Sequence, residues 1–304
     1  MIINRRILMM AVFGVFATTG GWAQAWKSQY PELVFAVVPA ENASGVTERF
    51  QPWIEYLGRT LGVKVTLRIA NDYAAVIEAQ KAGNIQIAYY GPASLARALK
   101  VTSGGVEPFV TTVNHDGTTG YYSVAYVKAD SPYHGLEDLK GKNLGLVDPN
   151  STSGNNMPRF AMDKRGIDPE KFFSKVVYTG SHENAVMALQ QGSVDVAFNW
   201  WNSDSDSNLT RMVNKGMVRK EDFRIVFTSP LLPGAPYAVL ASLPDDLKTA
   251  IKTAFIEGPR NDKAAFDRLS DGKDRGFAPV VQKDYESVIE LIDFVDRLHH
   301  KHAS

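Results

Sequence analysis

KVTLRIANDYAAVIEAQKAGNIQIAYYGPASLA, residues 64–96, decides how the chain is built. KVTLRIA (64–70) reads as a strand, the segment from about Tyr73 to Ala82 as a helix, and IQIAYYG (85–91) as the next strand. Upstream, LVFAVVP (33–39) is a short apolar run ending in proline, the pattern of a buried strand. Between it and Lys64, residues Phe50, Trp53, Ile54, Leu57 and Leu61 share one helical face, and Asn42 or Ser44 stands where a cap belongs. The order is therefore β-α-β-α-β, which implies a parallel sheet with right-handed crossovers.

The alternation pauses and then restarts. FVTTVNHDGTTGYYSVAYV (109–127) reads as two strands around His115-Asp116-Gly117, and Asp-Gly is a hairpin signal. NLGLVD (143–148), KVVYTG (175–180) and SVDVAFN (193–199) are further strands, the first two each followed by a helix. RIVFTSP (224–230) leads into the Pro/Gly segment LLPGAPY, and helices at about 245–257 and 284–298 close the chain. The expected architecture is α/β with two lobes, residues 26–120 with 231–304 and residues 121–230. The regions Asp116–Val127 and Ser229–Tyr237 are the crossings between them. Two such lobes suggest a hinged ligand-binding protein, with the ligand beyond the carboxyl ends of strands.

The totals narrow the function. The 304 residues carry 33 basic and 33 acidic side chains, which argues against a nucleic-acid binder. There is no cysteine, so disulfides, cysteine metal sites and a cysteine nucleophile are excluded. MIINRRILMMAVFGVFATTGGWAQA (1–25) has two arginines, an apolar run and an A-x-A end, the layout of a secretory signal peptide cleaved near Ala25. Removing it takes away Arg5 and Arg6 and leaves 31 basic against 33 acidic residues, a net charge of −2. An anion would have to be held by local groups, since no global positive field exists to attract it.

Phosphate-loop, dinucleotide, nucleophile-elbow and zinc-protease motifs are absent, and no cofactor or metal site is expected. The histidines of the tail, His299, His300 and His302, read as an exposed end. Three strand-to-helix junctions stand out instead: Tyr89-Tyr90-Gly91-Pro92, Asp148-Pro149-Asn150-Ser151-Thr152-Ser153-Gly154, and Ser181-His182. Each puts polar groups at a helix N-terminus, where unpaired N–H groups and the helix dipole favour negative charge. Clustered hydroxyls suit a tetrahedral oxyanion, whose oxygens all need donors. Ser151–Ser153 reads equally as a plain helix cap, His182 as a first-turn hydrogen bonder, and Tyr90 as core filler.

At this point the chain resembles the periplasmic phosphonate-binding proteins of ABC importers, the phosphate/phosphite/phosphonate solute-binding family. The likeness runs through VVPAENASG, NDYAAVIEAQKAGNIQIAYYGPAS, YYSVAYVKADSP, DPNSTSG, GSHENAV, SVDVAFN and SPLLPGAPY. It implies a type II periplasmic-binding-protein fold whose lobes close on the ligand like a hinged clam. It also implies a non-enzymatic protein, located in the periplasm and monomeric, that hands a small oxyanion to a membrane permease. Carried over by motif, Ser151, Thr152, Ser153 and His182 would hold the phosphonyl group, with Tyr73 and Tyr90 from the first lobe. Relatives that prefer aminoethylphosphonate place acids where this chain has Asn202 and Ala235. Here Trp200 and Trp201 precede Asn202, with Asp204 and Asp206 beyond. The tryptophans read either as a box for an amine, with Asp204 replacing the lost acid, or as walls of a small pocket for phosphite or a short alkylphosphonate, or as lobe packing. The remaining alternatives are a phosphite or phosphate binder and, in another class, a secreted phosphoester-processing enzyme using Ser153 and His182.

Overall fold

The computed structural model describes residues 25–303, with side chains through Leu298. The signal-peptide reading and the side chains of the histidine tail lie outside the described residues. Twelve strands form among the described residues, most of them from apolar runs. They are β1 Glu32–Val37, β2 Lys64–Ile69, β3 Ile87–Tyr89, β4 Val106–Asn114, β5 Tyr122–Lys128, β6 Asn143–Leu146, β7 Lys175–Tyr178, β8 Val196–Ser203, β9 Asp206–Ser207, β10 Phe223–Thr228, β11 Pro236–Leu240 and β12 Asp274–Pro279. They divide into two sheets, β12-β4-β11-β3-β1-β2 and β10-β5-β8-β6-β7, with β9 paired to β8. The fold is the two-lobe type II binding-protein architecture. β1 runs parallel to β2 and β3, as the β-α-β-α-β order predicts, and β6 runs parallel to β7 and β8.

The helix Ala43–Leu61 follows the predicted face: Phe50, Trp53, Ile54, Leu57 and Leu61 are all buried against the first sheet, with Asn42 Oδ1 accepting the Gly45 N–H at its start. Their rings join Phe35, Tyr237 and Phe255 in one aromatic core. A smaller core of Leu136, Leu144, Met162, Phe173 and Phe198 sits in the second lobe.

The hairpin reading of Asp116-Gly117 is corrected. Asn114 and Gly117–Thr118 do make a tight turn, through Asn114 N–H to Thr118 O and Gly117 N–H to Asn114 O. The flanking strands never pair, however. Both sides of β4 are taken by β11 and β12, and both sides of β5 by β8 and β10, so the turn opens a crossing between sheets. The second crossing, residues 229–235, runs beside it, and Tyr121 and Leu232 exchange two backbone hydrogen bonds of 3.1 and 2.8 Å. SVDVAFN also extends further than predicted. β8 continues through Ser203 and turns back into β9. The closing helix Glu286–Ala303 leans on both lobes. It packs on the helix Pro92–Val101 of the first, where Arg97 pairs with Asp296, and sets Phe294 edge-on to Phe160 of the second.

Candidate functional site

A cleft of about 140 Å³ lies between the two sheets, at the carboxyl ends of β1, β3 and β6. The lobes are closed around it. Tyr73, Tyr90, Ser151, Thr152, Ser153, His182, Trp200 and Asn202 all line it, and so does Ala235.

The hydroxyl run is more than an ordinary cap. Ser151 is extended and its Oγ accepts the Gly154 N–H at 3.1 Å, but Thr152–Asn156 then form a wide π-helical turn before the α-helix Met157–Asp163 begins. Such turns widen the backbone spacing and are common at functional positions. Gly154 makes this possible, since a Cβ there would run into the Val147 side chain. Thr152 reaches across the cleft, and its Oγ1 accepts the Ala93 N–H at 2.8 Å. The helix Pro92–Val101 has no side-chain cap of its own, so the second lobe caps a helix of the first. Gly91 permits the approach: a Cβ there would stand 3.1 Å from Thr152 Oγ1. Ser94 Oγ donates to Asn150 O at 3.0 Å, a second bond between the lobes. Because the Ser151 and Thr152 oxygens already accept from backbone, their O–H groups are left to donate.

His182 opens the helix His182–Gln190, whose cap is Ser181, the acceptor of the Asn184 N–H. His182 is 4% exposed. Burial depresses its pKa to about 3, against a smaller opposing effect of Asn199, so the ring is neutral. Its Nδ1 is buried and makes no hydrogen bond within the protein. A buried nitrogen left unpaired is costly, and His182 is one of the residues that line the cleft. The His182 N–H donates to Ala40 O at 2.9 Å, another link between lobes.

The tyrosines part company. Tyr73 is buried beside Ser151, and burial together with Asp148 pushes its phenol above the usual tyrosine range. Tyr90 turns its hydroxyl into the core, donating to Gln80 Oε1 at 2.8 Å, so only the rest of the residue faces the cleft. Sequence reasoning missed Tyr121, whose hydroxyl lies within hydrogen-bonding reach of Thr152 and Ser153. It sits on a crossing, where no strand-to-helix signal marks it.

The far end of the cleft differs from what the sequence predicts. Alternation along β8 separates Trp200 from Trp201. Trp200 lines the cleft, while Trp201 packs on Tyr122 and the core. The Trp200 ring is already covered by the Arg211 guanidinium, 4.7 Å from its centroid. Asp204 is exposed and faces Lys220, so it does not replace a lost acid in the cleft. Asp206 is the acid that lines it, accepting from Asn202 Nδ2 at 2.7 Å and leaving Asn202 Oδ1 buried without a partner. Asp274 of the first lobe joins it. Burial, then the Asp206 charge, raises its carboxyl to about 7. Arg49 and Arg211 also reach the cleft, paired with Glu41 and, at 2.6 Å, with Asp271. No spacing rule singles out these four charges, because closure of the lobes assembles them.

Comparison with known proteins gives the family and the fold. Residues 35–285 match the family model described as ABC transporter, phosphonate, periplasmic substrate-binding protein. The chain is 30% identical to the Phosphonates-binding periplasmic protein of Escherichia coli, over 83% of this chain and 72% of that one. It is 28% identical to a Mycolicibacterium smegmatis phosphate-import protein, over 87% and 86% of the two chains. A binding component of an ABC phosphonate transporter from Pseudomonas aeruginosa superposes with a TM-score of 0.78 at 26% identity, covering 88% of each chain. In fold alone, PhnD1 from Prochlorococcus marinus in complex with methylphosphonate is similar, with a TM-score of 0.77 at 17% identity over 88% and 98% of the chains. This chain belongs to the family of periplasmic substrate-binding proteins of phosphonate ABC transporters.

Proposed function

We propose that the protein captures a phosphonate by its phosphonyl head at the hydroxyl end of the cleft and delivers it to a membrane permease. The observation that carries this reading is the unpaired, buried Nδ1 of His182, a residue that lines the cleft together with the hydroxyl-bearing Ser151, Thr152 and Ser153. These groups are neutral donors. A dianion held by them gains strong charge-assisted bonds yet can leave when the lobes part. Ser151–Ser153, His182, Tyr73 and Tyr121 contact the head group. Tyr90 supports the wall through Gln80, and Trp200, Asn202 and Ala235 meet the substituent. The lobes, residues 26–120 with 231–304 and residues 121–230, turn on the two crossings. The protein is exported by its N-terminal signal and works as a monomer in the periplasm.

Ser153 and His182 do share the cleft, but family membership makes this a binding protein and not an enzyme. Calorimetric titration with methylphosphonate, phosphite, phosphate and sulfate tests the reading. Tight binding of a phosphonate and none of sulfate is the expected result. Preference for phosphate over every phosphonate would replace it with the phosphate-binding alternative.

A further inference from the structure

Away from the head-group donors, a chain of charges crosses the lobe boundary. Glu41 follows β1 in the first lobe and is 6% exposed; Glu183, in the first turn of the second lobe's helix His182–Gln190, is 2% exposed. Both meet one ammonium group, on Lys215, which ends the helix Asn208–Asn214 of the second lobe. Lys215 Nζ stands 2.8 Å from Glu183 Oε1 and 3.1 Å from Glu41 Oε2. The remaining oxygens are also used: Arg49 Nε donates to Glu41 Oε1 at 2.7 Å, and the Asn42 N–H donates to Glu183 Oε2 at 2.8 Å. Burial would raise the Glu41 carboxyl, but Arg49, Arg211 and Lys215 together hold it down at about 2.

Two of these links exist only while the lobes are closed. Arg49–Glu41 lies within the first lobe and Lys215–Glu183 within the second. Lys215–Glu41 and Asn42–Glu183 join them. Without the ammonium, closure would press two buried carboxylates toward each other. With it, each carboxylate keeps a partner on either side of the boundary.

We propose that Lys215 is a closure latch, a positioning residue that raises affinity for every ligand alike by holding Glu41 and Glu183 of opposite lobes on one ammonium group. It does not line the head-group cleft, and it acts on the lifetime of the closed form. The proposal rests on the hinged-binding reading above.

The test uses the mature protein and three variants: Lys215→Met, Lys215→Arg and Lys215→Met with Glu183→Gln. Affinity and dissociation rate are measured for methylphosphonate and inorganic phosphate, and small-angle scattering is recorded with and without each anion. Circular dichroism identifies variants that keep the fold. Lys215→Met should weaken each anion that the wild type binds by the same factor, about 10- to 100-fold, mostly through faster dissociation. Lys215→Arg should restore affinity to within about threefold, since it returns the charge. The double variant should recover part of the loss, because one of the two facing charges is gone. Folded Lys215→Met with wild-type affinity would overturn the latch, and so would a loss that differs between anions, which marks a residue in the ligand site. Wild type that binds neither anion would sink the ligand reading instead. Scattering then decides the latch alone: a larger radius of gyration in Lys215→Met supports it, and an unchanged one overturns it.

Discussion

The two ends of the cleft are built on opposite electrostatic plans. At the head-group end stand the hydroxyls of Ser151, Thr152 and Ser153 and a neutral imidazole, and the Ser151 and Thr152 oxygens accept from backbone N–H groups. At the far end charges stand in opposed sets: Arg211 with Asp271 and over Trp200, Asp206 beside Asp274, and Asn202 with one oxygen unpaired. The first end draws Ser151–Ser153 and His182 from short segments of the second lobe, and Thr152 Oγ1 and the His182 N–H bond across the cleft to the first. The second is completed only by closure, because Asp274 comes from one lobe and Asp206 and Arg211 from the other. In the proposed function, short segments of the second lobe supply the head-group donors, and the closed assembly meets the substituent.

Substitutions separate the two ends. The largest effect belongs to Ser151→Ala with Thr152→Ala, which should weaken methylphosphonate binding by about 10²- to 10⁴-fold in calorimetry, since two charge-assisted bonds of roughly 1.5–3 kcal/mol each are lost. Retained affinity would place the head group elsewhere. Next comes the pH dependence of the free protein. The His182 pKa is depressed by folding, so its contribution to stability is present above about pH 6.5 and is lost as pH falls toward 3. His182→Asn should flatten that part of a melting-temperature profile, and saturating methylphosphonate should blunt it by stabilising the protonated ring.

The far end titrates with the other sign. The Asp274 carboxyl is raised, so its contribution is full below about pH 4 and is lost as pH rises through about 7. Asp274→Asn should raise the melting temperature at pH 8 by about 2–4 °C and leave it unchanged at pH 4. The smallest effect is expected of Tyr90→Phe. It should cost stability through the lost Gln80 bond, about 1–2 kcal/mol, while affinity stays within about threefold. A large affinity loss there would return Tyr90 to the donor set.

What was legible in the sequence follows the same division. Ser151–Ser153 and His182 stand at strand-to-helix junctions, where residue type and position together betray exposed N–H groups, and the structure brings both junctions to one cleft. The parallel strands were readable because crossover helices separate them. The Asp116-Gly117 turn was read correctly as a turn and wrongly as a hairpin, because sheet membership is settled by distant strands. Alternation could say that Trp200 and Trp201 face opposite ways, but not which one faces the ligand. Asp206 rather than Asp204 enters the cleft because β8 folds back into β9, a turn with no strong signal. Tyr121, Arg49 and Asp274 left no trace, since only tertiary closure gives them a role.

In the proposed function the His182 Nδ1 becomes a donor to the bound oxyanion. Nitrogen-15 NMR of the imidazole at pH 7 tests it most directly, with His182→Asn identifying the resonance. On addition of methylphosphonate, Nδ1 should appear as a protonated nitrogen coupled to a slowly exchanging hydrogen. An Nδ1 signal that stays unprotonated in the saturated complex would contradict the account.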